Sequence, residues 1–152
     1  MSELSAFVLN YPVGSGTTLD DAEIKQLLNQ AGSWDQRYRQ LLLLAKSIPS
    51  VPDALKHTEF EVHGCESKTW LLCYNDQEGR FHYAVDSESR IVKALAITIL
   101  AAVNHQPADM ICNFQVAYYL EQLGFQQHIT PSRANGLLAV WKKMSDFCAV
   151  HA

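Results

Sequence analysis

The residues with the clearest chemical potential lie in the segment His63-Gly64-Cys65-Glu66-Ser67-Lys68-Thr69-Trp70. A cysteine follows a glycine here, between two short runs that alternate apolar and polar residues as β-strands do. Glycine permits a tight turn and the close approach of another molecule. A thiol at the tip of such a turn is accessible to a partner, so Cys65 is the candidate nucleophile. The alternative is a small hydrophobic residue in a turn, since unpaired cysteines are usually buried and inert.

The charges around Cys65 are mixed. An unperturbed thiol has a pKa of about 8.5, so only a few per cent is thiolate near neutral pH. His63 and Lys68 favour the thiolate, whereas Glu66 opposes it. The segment therefore does not predict a strongly activated nucleophile. Sulfur exchange suits such a thiol, because the attacking group needs access and the partner can supply a good leaving group.

Two other chemistries remain open for this cysteine. A hydrolase would need a histidine base, for which His128 is the candidate, together with an orienting group and an oxyanion hole. A metal site would need three or four ligands, usually as spaced pairs. Its candidate ligands are His63, Cys65, Cys73, His82, Cys112 and His128.

The other three cysteines predict packing roles. Cys73, Cys112 and Cys148 each lie within an apolar stretch, and the chain has no C-x-x-C motif. We expect Cys112 to belong to the core, and Cys73 and Cys148 to be in the core or without a role. A chain of this length does not need disulfides for stability, so reduced thiols in a cytosolic setting are expected.

Arg133 stands against the local electrostatic preference. It follows Thr130-Pro131, which predicts a helix start, and a cation is unfavourable in the first turn of a helix. A residue that opposes such a rule often has a tertiary partner. The candidate partners are Asp86 and Glu88, and a solvated surface arginine is the alternative.

The composition limits the classes of function. The chain has 152 residues, 48% of them apolar, and a formal net charge of -4 with 12 Lys and Arg. Nucleic-acid binding calls for a concentrated basic face, which this sequence lacks. No Lys or Arg precedes Lys25, so the charged start of a secretory signal is missing. The apolar stretch from Ile91 to Val103 predicts a core helix, because a membrane span takes about 20 residues. We expect a cytoplasmic protein with neither a nucleic-acid nor a membrane partner.

The amino-terminal half is predicted to be an arm followed by helices. Residues 1–16 contain a proline and two glycines and predict a flexible N-terminal arm, and residues 17–152 predict a single domain. The first helix is expected to start at Thr17 or Thr18 and to stop at Gly32, a residue suited to a left-handed cap.

Three short strands are predicted in the middle of the chain. Residues 59–63, 69–74 and 81–85 each alternate or are rich in strand-forming residues, and turn-forming residues separate them. The segment from Asn75 to Gly79 is the clearest of these turns.

Four further helices have recognisable starts, each marked by a polar cap or a proline in the first turn. These starts are Ser33 with its capping-box partner Gln36, Asp86 or Ser87, Pro107, and Thr130-Pro131. Helices, then three strands, then helices predict an α+β fold, in which a small three-stranded antiparallel sheet packs against several helices.

Several of these segments resemble the SufE/CsdE family of sulfur acceptors. They occur in the family's order and spacing, from about Ser33 to the last helix. They are Trp34-Asp35-Gln36-Arg37-Tyr38, Gly64 to Trp70, Asp86 to Lys93, and Leu123-Gly124 with His128 to Leu137. Ala94 departs from the pattern, since the family commonly has glycine there.

The resemblance implies a PLP-dependent cysteine desulfurase as the partner. Cys65 would take the terminal sulfur of a persulfide on that enzyme and stimulate it by removing the product. It would then pass the sulfur to an iron–sulfur scaffold or another acceptor. The chain would have no independent turnover and would bind no cofactor, since PLP belongs to the desulfurase. The SufE-like architecture is similar to that of iron–sulfur scaffolds, but one presented thiol cannot hold a cluster by itself.

The resemblance also implies supporting residues, which hold the cysteine loop or bind the partner. These are Gly64, Glu66, Asp86, Glu88 and Arg133. In the family the cysteine can be shielded by apolar surface when the acceptor is unbound, and Trp70 and Leu72 are the candidate cover.

Overall fold

The computed structural model describes residues 2–125 and 127–152. In this part of the chain, seven α-helices enclose a small antiparallel sheet, which confirms the predicted α+β class. The helices are α1 Glu3–Leu9, α2 Asp21–Gln30, α3 Trp34–Ser47, α4 Arg90–Val103, α5 Ala108–Cys112, α6 Val116–Gln122 and α7 Pro131–His151. Two 3₁₀ helices, Asp53–Leu55 and Thr58–Phe60, connect α3 to the sheet.

The sheet has the strands β1 Thr69–Asn75, β2 Arg80–Ser87 and β3 Gln106–Pro107, in the order β1-β2-β3. β1 and β2 form a hairpin whose register runs from Thr69 opposite Ser87 to Asn75 opposite Phe81. The predicted turn between them is confirmed, because Asp76 Oδ1 accepts hydrogen bonds from the amides of Glu78 and Arg80, each over 2.9 Å. This hairpin positions the loop that precedes it.

Helix α4 forms the centre of the core, as predicted from its apolar sequence. Nearly all of its residues are buried, and it packs against α2, α3, α7 and β2. Ser89 caps the helix by accepting a hydrogen bond from the Val92 amide. The predicted caps, Asp86 and Ser87, instead end β2. Of the described helices, none is both long and apolar enough to cross a membrane.

One predicted strand is wrong. Residues 59–63 form the end of a 3₁₀ helix and a single β-bridge between Glu61 and Trp70, and the third strand is β3. Lys143 of α7 donates to the carbonyl oxygens of Glu59 and Glu61, over 3.0 and 2.9 Å. These hydrogen bonds satisfy backbone groups that a strand would have offered to a neighbouring strand.

Residues 2–16, which were predicted to be a flexible arm, include helix α1 and lie against the sheet. Ser2 caps α1 by accepting a hydrogen bond from the Ser5 amide. Helix α1 packs against β1 and β2, and Val8, Tyr11 and Val13 are at most 2% exposed. Burial of these apolar side chains offsets the entropy cost of ordering the segment.

The helix boundaries follow the predicted caps where the signal is local. The Ser33 hydroxyl accepts from the Gln36 amide, and Thr130 accepts from the Arg133 amide with Pro131 as the first helical residue. The first predicted helix starts later than expected, at Asp21, because the Asp20 carboxylate provides the cap. Helix α5 begins at Ala108, one residue after the predicted Pro107.

Candidate functional site

Cys65 lies on a loop of residues 63–68 that is closed at its base. The Val62 amide donates to the Thr69 carbonyl oxygen over 2.8 Å, and Glu61 forms the β-bridge with Trp70. The loop therefore projects from the start of β1, and the structure places the predicted nucleophile near its tip.

We call residues 63–68 the cysteine loop. The end of β2 holds the second half of this loop. The Lys68 carbonyl oxygen accepts from the Ser87 hydroxyl over 3.2 Å and from the Glu88 amide over 2.9 Å. The Thr69 hydroxyl donates to the Ser67 carbonyl oxygen over 3.1 Å. Glu88 thus supports the loop through its backbone, while its carboxylate belongs to an exposed side chain.

Gly64 turns the backbone just before the cysteine. Its φ of 100° lies in the left-handed region that side-chain-bearing residues rarely adopt. A Cβ at this position would lie 3.4 Å from the Ala139 Cβ of α7. Glycine is favoured at this position by its positive φ, because an added Cβ would be only in close contact with Ala139. The turn at Gly64 brings the loop against α7.

The thiol of Cys65 rests on α7. Its Sγ donates to the Gly136 carbonyl oxygen over 3.5 Å. Gly136 is buried, and a Cβ added there would lie 3.1 Å from Sγ, closer than side chains normally approach. We call Gly136 and its carbonyl group the thiol seat. No local signal marks this contact in the sequence, because the two residues are 71 positions apart.

Burial of the seated thiol disfavours the thiolate. Burial raises the pKa of Cys65, and a hydrogen bond with the Thr69 side chain opposes this only in part. The thiolate is the nucleophilic form of cysteine, so the resting thiol is less reactive than an exposed one. Trp70 and Leu72, the predicted cover, are buried in β1, but the thiol itself interacts with Gly136 and Thr69.

Asp86 lies in a buried ion cluster and does not contact Arg133. Its carboxylate is 3.6 Å from Lys56 Nζ and 3.7 Å from Lys93 Nζ, and it accepts from the amides of Val51 and Ser87. The predicted pairing of Arg133 with Asp86 or Glu88 is therefore wrong within the described residues. Asp86 instead fixes the end of β2, from which Ser87 and Glu88 hold the cysteine loop.

Arg133 and Glu66 are close in sequence to the two residues of the thiol contact, and their side chains reach the surface. Arg133 is three residues before Gly136 on α7, and residues at this spacing share a helix face. Its side chain is partly exposed, and Glu66, next to Cys65, is exposed. The two residues thus present opposite charges beside the thiol seat.

The contacts of the described residues favour neither a hydrolase site nor a metal site at Cys65. The ring of His128, the candidate base, stacks on Trp34 with centroids 4.3 Å apart. In the described ranges, no three or more His, Cys, Asp or Glu side chains are grouped so that they could hold a metal ion. The hydrogen bond of the Cys65 thiol goes to a backbone carbonyl.

The other cysteines differ from one another. Cys148 is 0% exposed, as expected for a core residue. Cys73 is partly buried in β1, and burial raises its pKa to about 12, with Lys143 opposing this rise. The prediction that Cys112 belongs to the core is wrong, because it is the last residue of the short helix α5 and its side chain is exposed.

The chain matches the family model described as SufE, an Fe-S metabolism associated domain, over residues 22–148. It is 33% identical over 125 residues to the sulfur acceptor protein CsdE of Escherichia coli (strain K12). That match covers 82% of this chain and 85% of the relative.

The fold is also found in a solved structure. The solution structure of a hypothetical protein from Thermus thermophilus matches with a TM-score of 0.66 and 18% identity, over 88% of this chain and 98% of the other. At that identity the match shows a common fold alone. The family-model match and the CsdE relative both span most of the chain, and the family model includes the cysteine loop and the thiol seat. On these grounds the chain belongs to the SufE family.

Proposed function

We propose that this chain accepts persulfide sulfur from a PLP-dependent cysteine desulfurase onto Cys65 and delivers it to iron–sulfur cluster assembly or another sulfur acceptor. The observation that carries the proposal is a single thiol on a closed loop, seated against Gly136 in a chain of the SufE family. The Escherichia coli relative, named a sulfur acceptor protein, supports the same role here.

The transfer is a thiol exchange without net oxidation. The Cys65 thiolate attacks the outer sulfur of the desulfurase persulfide, and a new S–S bond forms at Cys65. The S–S bond of the donor breaks, and the donor cysteine leaves as a thiolate that is ready for another turnover. Because the product persulfide is removed, the desulfurase is stimulated. The acceptor itself returns to its thiol form when a downstream nucleophile takes the sulfur.

Release from the thiol seat is the step that the partner must promote. The seated thiol has a raised pKa and donates a hydrogen bond to the Gly136 carbonyl oxygen. Moving the loop outward restores hydration and lowers the cost of forming the thiolate. The seated thiol is thereby protected from oxidation. It becomes reactive when the chain binds the desulfurase that carries the persulfide.

The supporting residues divide into two groups. Gly64, Asp86 and Glu88 hold the cysteine loop through backbone conformation, the buried ion cluster and a backbone hydrogen bond. Glu66 and Arg133 present charged side chains beside the thiol and are the proposed contacts with the desulfurase. Charges at the edge of such a contact mainly affect the rate of association.

A cysteine hydrolase, the other interpretation of Cys65, is not favoured by any contact of the described residues. Such an enzyme needs its base within hydrogen-bond reach of the nucleophile. The candidate base His128 instead stacks on Trp34.

The test is a sulfur-transfer assay read by intact mass. Incubation with a desulfurase, PLP and sulfur-labelled cysteine is expected to add one labelled sulfur to the chain, and peptide mapping is expected to place it on Cys65. Alanine formation by the desulfurase should rise at the same time. Cys65→Ser should lose both effects.

The matched controls are Cys73→Ser, Cys112→Ser and Cys148→Ser, which keep Cys65 and are expected to take up sulfur as the parent chain does. Labelled persulfide that persists in Cys65→Ser would refute the assignment. Turnover of an activated ester without any desulfurase would favour the hydrolase.

A further inference from the structure

A second pair of thiols lies away from the cysteine loop, where helices α5 and α7 pack together. The Sγ atoms of Cys112 and Cys148 are 3.9 Å apart, within hydrogen-bond range for sulfur. Cys112 ends α5, and Cys148 lies near the end of α7. The two residues are 36 positions apart in the chain, so the fold brings them together.

The two thiols differ in their access to solvent. Cys112 is exposed, whereas Cys148 is 0% exposed and belongs to the core. The Cys148 thiol also lies 3.8 Å from the Ala108 carbonyl oxygen. A small oxidant from solution therefore meets Cys112 first, with Cys148 directly behind it. Redox-active cysteine pairs have this arrangement, an accessible thiol poised next to a resolving thiol.

We infer that Cys112 and Cys148 form a dithiol site that reacts with hydroperoxides and closes to an intramolecular disulfide. This site is separate from the sulfur transfer proposed for Cys65 and does not depend on it. It is a modification site, and its substrate class is a hydroperoxide, of which hydrogen peroxide is the smallest.

The reaction balances in two steps. The Cys112 thiolate attacks one oxygen of the hydroperoxide, the O–O bond breaks, and the leaving oxygen takes up a proton as water or an alcohol. Cys112 is then a sulfenic acid. The Cys148 sulfur attacks it, the S–O bond breaks, and water leaves as the S–S bond forms. The two thiols lose two electrons in total, and the hydroperoxide gains them.

The order of the steps follows from the surroundings of the two thiols. Burial, together with the neighbouring Cys112, raises the pKa of Cys148 to about 11, so Cys148 keeps its proton at neutral pH. The exposed Cys112 is thus the thiol that a hydroperoxide reaches for the first attack, and Cys148 acts only after its neighbour has been oxidised.

Closing the disulfide needs a small movement. A disulfide bond is about 2.05 Å long, so the sulfurs must approach each other by about 1.9 Å. Rotation of the exposed Cys112 side chain at the end of the five-residue helix α5 can supply this approach. The bond would join α5 covalently to α7, the helix that carries the thiol seat.

The experiment uses the full chain with Cys65→Ser, so that oxidation at the cysteine loop cannot contribute and sulfur transfer is not involved. The protein is treated with stoichiometric hydrogen peroxide, remaining thiols are alkylated, and the digest is analysed by mass spectrometry. We expect a peptide linked through Cys112 and Cys148, an intact monomer lighter by two hydrogen atoms, and loss of the link on treatment with dithiothreitol.

Three double variants complete the test. Cys65→Ser with Cys73→Ser should form the link as before. Cys65→Ser with Cys112→Ser or with Cys148→Ser should not form it. Because Cys112 is exposed, its serine variant is expected to stay folded and serves as the main control. The inference is overturned if Cys112 proceeds to sulfinic acid without a link, if it remains fully alkylatable, or if only intermolecular disulfides appear.

Discussion

Cys65 combines a reactive atom with a position that restrains it. The sulfur that we propose attacks a persulfide donates a hydrogen bond to a backbone carbonyl, and burial raises its pKa. The residue that makes this possible is Gly136, since an added Cβ there would lie 3.1 Å from the sulfur and force a shift. Reactivity is therefore controlled by how well the thiol fits its seat, and a charged group next to Cys65 is not needed for that control.

Gly136→Ala is expected to expel the thiol from its seat. The new Cβ would lie 3.1 Å from Sγ, and the Cys65 side chain on its loop yields more easily than helix α7. We expect alkylation of Cys65 by iodoacetamide at neutral pH to accelerate roughly threefold to tenfold, which corresponds to about 0.7–1.4 kcal/mol. The rate is measured by mass spectrometry of the Cys65 peptide.

Asn135→Ala is the matched control for this prediction. It makes a similar gain in helix propensity on the preceding residue of α7, and its side chain is exposed. Its alkylation rate should equal that of the parent chain. An unchanged or slower rate in Gly136→Ala would show that the thiol seat does not limit reactivity.

The residue-scale site was predicted only where it is local. The Gly64-Cys65 pair predicted the turn and the position of the thiol near its tip, because both depend on neighbouring residues. The thiol seat could not be predicted, because nothing in the sequence around Gly136 distinguishes it from other helix residues. Its contact with Cys65 exists only in the folded chain. The predicted partners of Arg133 were wrong for the same reason, because Asp86 pairs with Lys56 and Lys93 from distant parts of the chain.

At the scale of elements, a chain of hydrogen bonds joins the hairpin turn to the entry of β3. Asp76 Oδ2 is 2.8 Å from His82 Nε2, and His82 Nδ1 is 2.7 Å from His105 Nδ1. The other ring nitrogen of His105 is 2.9 Å from the Tyr11 carbonyl oxygen. His105 also has a φ of 62°, so the backbone turns sharply at this point.

This chain of hydrogen bonds predicts a loss of stability in mild acid. Burial lowers the pKa of His105, with the nearby His82 adding to the effect, so the unfolded chain binds a proton more readily than the folded one. Stability is therefore expected to fall as the pH drops below about 6.5. The pKa of Asp76 is also lowered, because hydrogen bonds from His82 and two amides outweigh burial. Its contribution is lost at lower pH, as the carboxylate becomes protonated in the folded state.

His105→Asn should reduce this pH dependence. Asparagine tolerates the left-handed backbone, but it does not titrate. We expect a lower overall stability, because ring hydrogen bonds are lost, and a flatter dependence of the free energy of unfolding on pH between about 7 and 5. One proton accounts for at most about 1.4 kcal/mol per pH unit. Urea unfolding at several pH values measures both quantities.

The control is His63→Asn, which removes an exposed histidine and should leave the slope as it is. If His105→Asn keeps the full slope of the parent chain, the acid sensitivity originates elsewhere.

The elements themselves were predictable to the extent that their signals are local. The capping residues Ser33 and Thr130 were identified correctly, since a cap acts within a few residues. Strand β3 was not, because two residues carry no alternation and Pro107 reads as a helix start. Residues 59–63 do alternate, but their carbonyl groups are taken by Lys143, which lies more than 80 positions away.

The whole molecule depends on its first residues more than the family match indicates. The matched region begins at residue 22, yet Val8, Tyr11 and Val13 are part of the buried core. The Asn104 side chain donates to the Val13 carbonyl oxygen over 2.9 Å, and His105 contacts the Tyr11 carbonyl group. The first residues, α2–α7 and the sheet are thus held together by one core, and the proline and glycines of residues 12–16 shape an ordered connection.

Tyr11→Phe tests this dependence with a single atom. The Tyr11 hydroxyl donates to the Val85 carbonyl oxygen in β2 over 3.0 Å, and burial raises its pKa, so it remains a donor at all working pH values. Without it the buried carbonyl loses a partner, and we expect the free energy of unfolding to fall by about 1–2 kcal/mol. For a chain of this size the melting temperature should fall by about 2–8 °C. Tyr118→Phe removes a hydroxyl from a side chain that is 61% exposed and should change neither value. If the two variants had equal free energies of unfolding, the contact between Tyr11 and β2 would not stabilise the protein.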